Sequence, residues 1–283
     1  MKNSILLCTL LLICISCVEE KAKKKYITRI HTEVEIEHLQ HPEAKVFLQK
    51  RLKNIEMDNV DTLSFTEEGK LVFNIQDSVP NYYRLIHHDF YLDLYLSPRD
   101  SLSIRFDNDA LLTSLKFKGE RGKQQNRYLA AKRFFMQKYV TDSLFMQEPT
   151  AFNNSLLKIR KEYMFALNEA NLKQQDFRKK ERRAIDYILA KLELIYPSSY
   201  EKIKGAPLLI HADYYDFTHK YHSEDPVLLE IPEYIDFYSS YIILNAFTLN
   251  ENTNYSKEDI DAEVEKAFKS EKFRNFFKNF LKL

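Results

Sequence analysis

Tyr91-Leu92-Asp93-Leu94-Tyr95-Leu96-Ser97-Pro98-Arg99-Asp100-Ser101-Leu102-Ser103-Ile104 alternates apolar and polar side chains on both sides of a Pro-Arg-Asp-Ser turn. Period-two alternation interrupted by turn residues marks half-buried strands, here Tyr91–Leu96 and Leu102–Phe106. Arg99 follows the proline of the turn, and a type I turn accommodates most residues there. The expectation is a type I turn joining two strands.

Working upstream, Ile30, Thr32, Val34 and Ile36 alternate with charged neighbours, and so do Leu71, Phe73 and Ile75. Between Leu63-Phe65 and Leu71-Phe73 the chain reads Thr66-Glu67-Glu68-Gly69-Lys70, with Gly69 free to take positive φ. This predicts a hairpin. Tyr82–Ile86 supplies a further strand. Downstream of Gly119 the period changes to that of helices: Gln124–Tyr139, Phe152–Leu172, Gln175–Ile195 ending ahead of Pro197, Tyr234–Phe247 and Lys257–Lys269. Ser256 with Asp259 three residues on is a capping signal for the last of these. Phe273, Phe276, Phe277, Phe280 and Leu281 form one more apolar stripe, read as core. The expected fold class is therefore α+β, a small antiparallel β-sandwich or barrel over 27–119 followed by an all-helical domain over 120–283.

The N-terminus says where such a fold would be held. Lys2 precedes an apolar run from Ile5 to Ser16 that closes on Cys14-Ile15-Ser16-Cys17. About a dozen residues is too short for a bilayer span of ~20, so residues 1–16 read as a lipoprotein signal peptide and Cys17 as the lipidated residue. The other reading is an ordinary secretory leader cut nearby. Residues 17–26, with Val18-Glu19-Glu20-Lys21-Ala22-Lys23-Lys24-Lys25, lack apolar periodicity and read as a flexible tether. Cys8 and Cys14 leave with the leader, so no thiol remains in the mature chain beyond Cys17.

Composition removes several function classes. Lys and Arg number 42 against 41 Asp and Glu, which leaves no strong positive field for nucleic acid. The most basic run, Arg178 to Arg183, reads as a solvated helix face. Four glycines, Gly69, Gly119, Gly122 and Gly205, permit no GxGxxG, phosphate-loop or GxSxG motif.

Several residue groups qualify as candidate sites. His211, Asp213, His219 and His222 lie within a dozen residues and are weighed as metal ligands against polar surface histidines. His87 and His88 are read as neighbours in a strand that point to opposite faces. Asp107-Asn108-Asp109 lacks the glycine and distal glutamate of a calcium loop. Glu67-Glu68 reads as a solvated hairpin tip. Tyr82, Tyr83, Tyr91 and Tyr95 would form a binding groove only as a contiguous exposed patch. No catalytic, cofactor-binding or metal residue is assigned.

Tyr91 to Ile104, then Leu115-Lys116-Phe117-Lys118-Gly119, then Asn126-Arg127-Tyr128-Leu129, resemble the N-terminal β-domain and helical region of Bacteroidetes-type thioredoxin-family lipoproteins. Arg99 replaces the glycine usual in that family's turn. Glu19-Glu20 after Cys17 is similar to the surface-export signal of such lipoproteins. The resemblance implies a thioredoxin domain with a WCxxC pair after the helices, and residues up to Leu283 contain none, so none of the family's catalytic residues is carried over. Thiol-disulfide exchange needs a thiolate. The expectation is an outer-membrane lipoprotein, periplasm-facing or cell-surface exposed, acting as a non-catalytic binding or scaffold module. Its partners are the membrane, through the lipid, and a protein or peptide of the envelope, with no cofactor and no nucleic acid. The alternative is the N-terminal portion of a thiol-disulfide oxidoreductase whose thioredoxin domain is missing from this chain.

Overall fold

Among the described residues eight strands precede the longer helices, and they sort into two four-stranded sheets. The computed structural model describes residues 29–51, 59–211, 213–249 and 256–281. Cys17, the tether and the polar loop expected at Asn250–Asn254 lie outside the described residues. The strands are β1 (Arg29–Glu37), β2 (Val46–Lys50), β3 (Asn59–Leu63), β4 (Lys70–Gln76), β5 (Asn81–Ile86), β6 (Tyr91–Leu96), β7 (Ser101–Asp107) and β8 (Lys116–Lys118). One sheet runs β4-β1-β7-β8 and the other β3-β2-β5-β6. The strands thus form two sheets rather than one closed barrel.

Alternation places β1, β4, β5, β6 and β7, but it misses β2 and sets a strand at Leu63–Phe65 where β3 is Asn59–Leu63, and it does not give the partners. The Thr66–Lys70 reversal forms, with the Thr66 N–H donating to Lys70 O at 2.7 Å and Gly69 at φ 73°. Yet β3 pairs with β2 and β4 with β1, so the expected hairpin is instead a crossing from one sheet to the other. The Pro98 turn likewise leads from β6 in the second sheet to β7 in the first. Arg99 adopts φ 71°, which contradicts the expected type I turn. Asp100 offsets the strain: its backbone N–H donates to Ser97 O at 3.0 Å and its buried carboxylate accepts the Ser97 N–H at 2.8 Å. Nor is the first sheet wholly antiparallel, because β1 and β7 run parallel, Thr32 opposite Leu102. A parallel pair needs a long connection, and here the whole second sheet lies within it.

Ile30, Val34, Phe73, Ile104 and Phe106 of the first sheet share one core with Leu48, Leu85, Leu92 and Leu94 of the second. The second sheet is covered on its other face as well. Tyr82 and Tyr95, one residue out of step with that core, join a separate cluster built with the helices. The molecule is therefore mixed α and β, with sheet, sheet and helices in layers.

The helices are α1 (Lys123–Tyr139), α2 (Pro149–Glu169), α3 (Gln175–Lys204), α4 (Pro232–Leu249), α5 (Lys257–Ala267) and α6 (Glu271–Phe280), joined by shorter helical turns. α5 opens with the expected capping box between Ser256 and Asp259. Phe273, Phe277 and Leu281 are buried and Phe276 and Phe280 half-buried against them, as the apolar stripe predicts. α3 is the spine. Ile185, Ile188 and Leu192 face α1 and α2, while Ala184, Tyr187 and Leu194 face α4 to α6. It does not end before Pro197 but passes through it. A proline has no N–H for the carbonyl four residues back. That carbonyl, Glu193 O, is met instead by the Tyr214 hydroxyl at 2.8 Å.

Asn126 fixes α1 to the free edge of β6. Its Oδ1 accepts the Tyr95 N–H at 2.8 Å and its Nδ2 donates to Tyr95 O at 2.9 Å, so the side-chain amide pairs with the strand as a neighbouring strand would.

Candidate ligand cleft between the second sheet and the helices

The helix-facing register of β5 and β6 lays out a row of cross-strand pairs: Tyr82 opposite Tyr95, Arg84 opposite Asp93, Ile86 opposite Tyr91. Tyr82 and Tyr95 are buried under the helices with ring centroids 4.9 Å apart, edge to face. Arg84 and Asp93 form a two-point ion pair, Nε to Oδ1 at 2.7 Å and Nη2 to Oδ2 at 3.0 Å. Tyr91 stays exposed between two guanidinium groups, Arg84 at 4.7 Å and Arg133 of α1 at 3.7 Å from its ring centre. Arg133 also donates to the Tyr91 carbonyl.

Behind this row lies a buried ion network contributed by three helices. Lys132 of α1 donates to Glu181 of α3 at 2.7 Å and to Glu233 of α4 at 2.8 Å. Glu181 is fully buried and also accepts the Tyr82 hydroxyl at 2.6 Å. Burial opposes the Lys132 charge, but the two carboxylates outweigh it and hold the ammonium above the ordinary lysine range. Burial raises the Glu181 carboxyl, with Lys132 only partly compensating. For Glu233 burial is outweighed by Lys132 and Arg51, and its carboxyl is lowered. Arg51, at the end of β2, lies 3.7 Å from Asp93, 3.8 Å from Glu233 and 3.7 Å from Asp236. Sheet, α1, α3 and α4 thus meet at one point.

Between the tyrosine row and the helices opens a cleft of about 350 Å³. Its polar side carries Arg51, Arg84, Arg133, Asp93, Glu233 and Asp236; its other wall is Leu129, Met136, Val140, Ile188, Leu192 and Ile195, with Lys191 at their side. Chemically this is a receptor for a molecule with a charged end and an apolar end. Lys132, doubly paired and charged, has no lone pair to offer as a nucleophile.

The residues singled out in the sequence are mostly elsewhere. Cys17 lies outside the described residues. Tyr82, Tyr83 and Tyr95 are core, and of the four tyrosines only Tyr91 is exposed, so the conditional patch does not form. The basic run is not simply a solvated face: Arg182 and Arg183 are exposed, but Glu181 within it is fully buried. His211 pairs with Asp213 at 2.5 Å, whereas His222 meets the Tyr238 hydroxyl at 3.2 Å and Glu224 at 3.5 Å. His219 is exposed and these four do not gather. Among the described residues the histidine–carboxylate groups with convergent ligand atoms are His41, His88, Asp89 and His38, Asp107, Asp109. His87 and His88 lie past the end of β5, not within it, one buried and one exposed.

Among the described residues no helix is long and apolar enough to cross a membrane. No family model matches the chain, and no curated protein is significantly similar to it.

Proposed function

We propose that this chain is the ligand-binding body of a membrane-anchored envelope lipoprotein, held at the outer membrane by Cys17 and related to the N-terminal part of thioredoxin-family lipoproteins. In this reading the two sheets that share one core are a β-sandwich, and the protein acts as a non-catalytic binding module. The observation that carries the reading is the cleft beside Tyr91. Five cationic side chains, Arg51, Arg84, Lys132, Arg133 and Lys191, line it against three carboxylates, Asp93, Glu233 and Asp236. Lys132 is also paired with the buried Glu181, so one positive charge remains in excess, and Arg133 and Lys191 carry it beside an aliphatic wall; this favours an amphiphilic anion, a carboxylate or phosphate head near Arg133 and Lys191 with its hydrocarbon part along Leu129, Ile188 and Leu192.

Calorimetric titration with dodecyl phosphate below its micelle concentration tests this. Saturable binding that weakens at least tenfold in both Arg133→Gln and Lys191→Gln supports the assignment. Equal binding of dodecyltrimethylammonium, or binding indifferent to both substitutions, overturns it. Metabolic labelling with a radioactive fatty acid, present in the wild type and lost in Cys17→Ser, tests the anchor. Reduction of insulin disulfides by the purified mature chain would refute the non-catalytic reading.

A further inference from the structure

The loop between β1 and β2 and the turn between β5 and β6 lie side by side, because β2 pairs with β5. The second of these is a two-residue reversal: His87 N–H donates to Phe90 O at 2.9 Å and Phe90 N–H to His87 O at 3.3 Å, leaving His88 and Asp89 at the tip. His87 itself is buried and joins the two loops. Its Nε2 donates to His41 O at 2.9 Å, and its Nδ1 therefore accepts the Asp89 N–H at 3.3 Å. That pair of bonds holds the backbone of His41 against the backbone of Asp89.

Three ligand atoms converge above this joint. His88 Nδ1 is 2.9 Å from Asp89 Oδ1, and His41 Nε2 is 3.9 Å from the same oxygen. The two imidazole rings meet edge to face with centroids 4.5 Å apart. All three ligand atoms lie within 4.8 Å of one another. A tetrahedral zinc ion with bonds of about 2.0–2.2 Å places its ligands roughly 3.4 Å apart, inside this spread.

Two further observations set the group apart from a chance surface cluster. The Asp89 side chain is only 9% exposed: its Oδ2 is buried 3.6 Å from His87 Nδ1, which leaves Oδ1 as the oxygen presented to His88 and His41. A carboxylate held in this way keeps one oxygen fixed toward both imidazoles. Secondly, Glu43 Oε1 lies 3.4 Å from His41 Nδ1. A carboxylate there places the proton on Nδ1 and turns the Nε2 lone pair toward Asp89, the outer-shell arrangement that orients metal-bound histidines.

We propose that His41 Nε2, His88 Nδ1 and Asp89 Oδ1 form a binding site for a divalent first-row transition metal of the zinc type, with Glu43 as the residue that orients His41. Three protein ligands leave a fourth position for an exogenous donor. His38 with Asp107 and Asp109 offers only one nitrogen, paired with Asp107 at 3.0 Å, and it serves as the control.

The test is calorimetric titration of the purified full chain, made without a histidine tag and stripped with chelator, with zinc chloride alone. The expected result is one saturable equivalent, lost in His41→Ala and in His88→Ala, and unchanged in His38→Ala and His211→Ala. Glu43→Gln, a surface change that leaves every proposed ligand in place, weakens binding about tenfold. Cobalt in place of zinc gives the visible absorption of a four-coordinate nitrogen–oxygen site in the wild type and none in His88→Ala. Absence of saturable zinc binding, or binding that survives His88→Ala, overturns the proposal.

Discussion

The Tyr214 hydroxyl donates to the Glu193 carbonyl, the group in α3 that Pro197 strips of its helical partner. The bond lets a 30-residue helix continue where sequence rules end it. Tyr214→Phe is expected to cost about 1–2 kcal/mol in urea denaturation, the penalty for a buried acceptor left unmade. In a Pro197→Ala background the same change costs less, because the substituted residue supplies the missing N–H. Equal costs in both backgrounds would show that the two residues are not coupled.

Lys132→Met leaves Glu181 and Glu233 facing one another in the interior without a cation between them. Removing one partner of a buried ion group costs about 3–5 kcal/mol. Adding Glu181→Gln to Lys132→Met should recover part of that loss, as measured by the urea midpoint. A single substitution with no effect on stability would contradict the network.

Asp77 gives the acid limb of the stability curve. Burial alone would raise its carboxyl, but Lys50, the Tyr83 hydroxyl and the Asn81 amide outweigh burial and hold it at about 2. A carboxyl lowered in the folded state contributes stability that is complete above its unfolded value of about 3.9 and is lost as pH falls through the folded value. The wild type should therefore lose stability between roughly pH 4 and pH 2. Asp77→Asn should be less stable at neutral pH and flatter across that window, as read by urea melts at each pH.

Gly119 and Gly69 both have positive φ, 138° and 73°, but only one is crowded. A Cβ on Gly119 would meet Ser101 O at 2.3 Å, whereas nothing lies within 4 Å of one on Gly69. Gly69→Ala is expected to cost about 1 kcal/mol from backbone strain. Gly119→Ala should cost more, because β7 and β8 must also separate, and thermal melts of the two variants make the comparison.

Much of this architecture is legible in the sequence, element by element. Val34 and Ile36, Phe73 and Ile75, and Leu92 and Leu94 announce strands because a pleated ladder with one face on a core demands alternation. Pairing is not legible, since alternation says nothing about which strand lies alongside. Thr66–Lys70 reads as a hairpin and Pro98–Ser101 as a turn joining two strands, and both cross between sheets. Arg99 departs from its expected turn for a related reason: the Asp100 carboxylate that makes its φ tolerable works through a buried bond to Ser97. The cleft has no motif, because its residues come from β2, β5, β6, α1, α3 and α4. A signal does exist. Glu181 falls on the apolar stripe of Phe177, Ala184, Ile185 and Ile188, and Lys132 falls beside Tyr128 and Leu129. A charge on a core-facing stripe requires a partner, even when the sequence does not say which. The same holds for His41 and His88, brought together only by the pairing of β2 with β5.

The parallel match of β1 to β7 also sets a timetable. During synthesis β1 emerges early and gains β4 on one edge, but its other edge stays open until β2 through β6 have all been made. Contacts this far apart along the chain close slowly, and an open edge invites foreign strands meanwhile. The first strand is thus among the last of the strands to be completed, and pulse-labelled hydrogen exchange should find the amides of the β1–β7 ladder protected after those of β5 and β6.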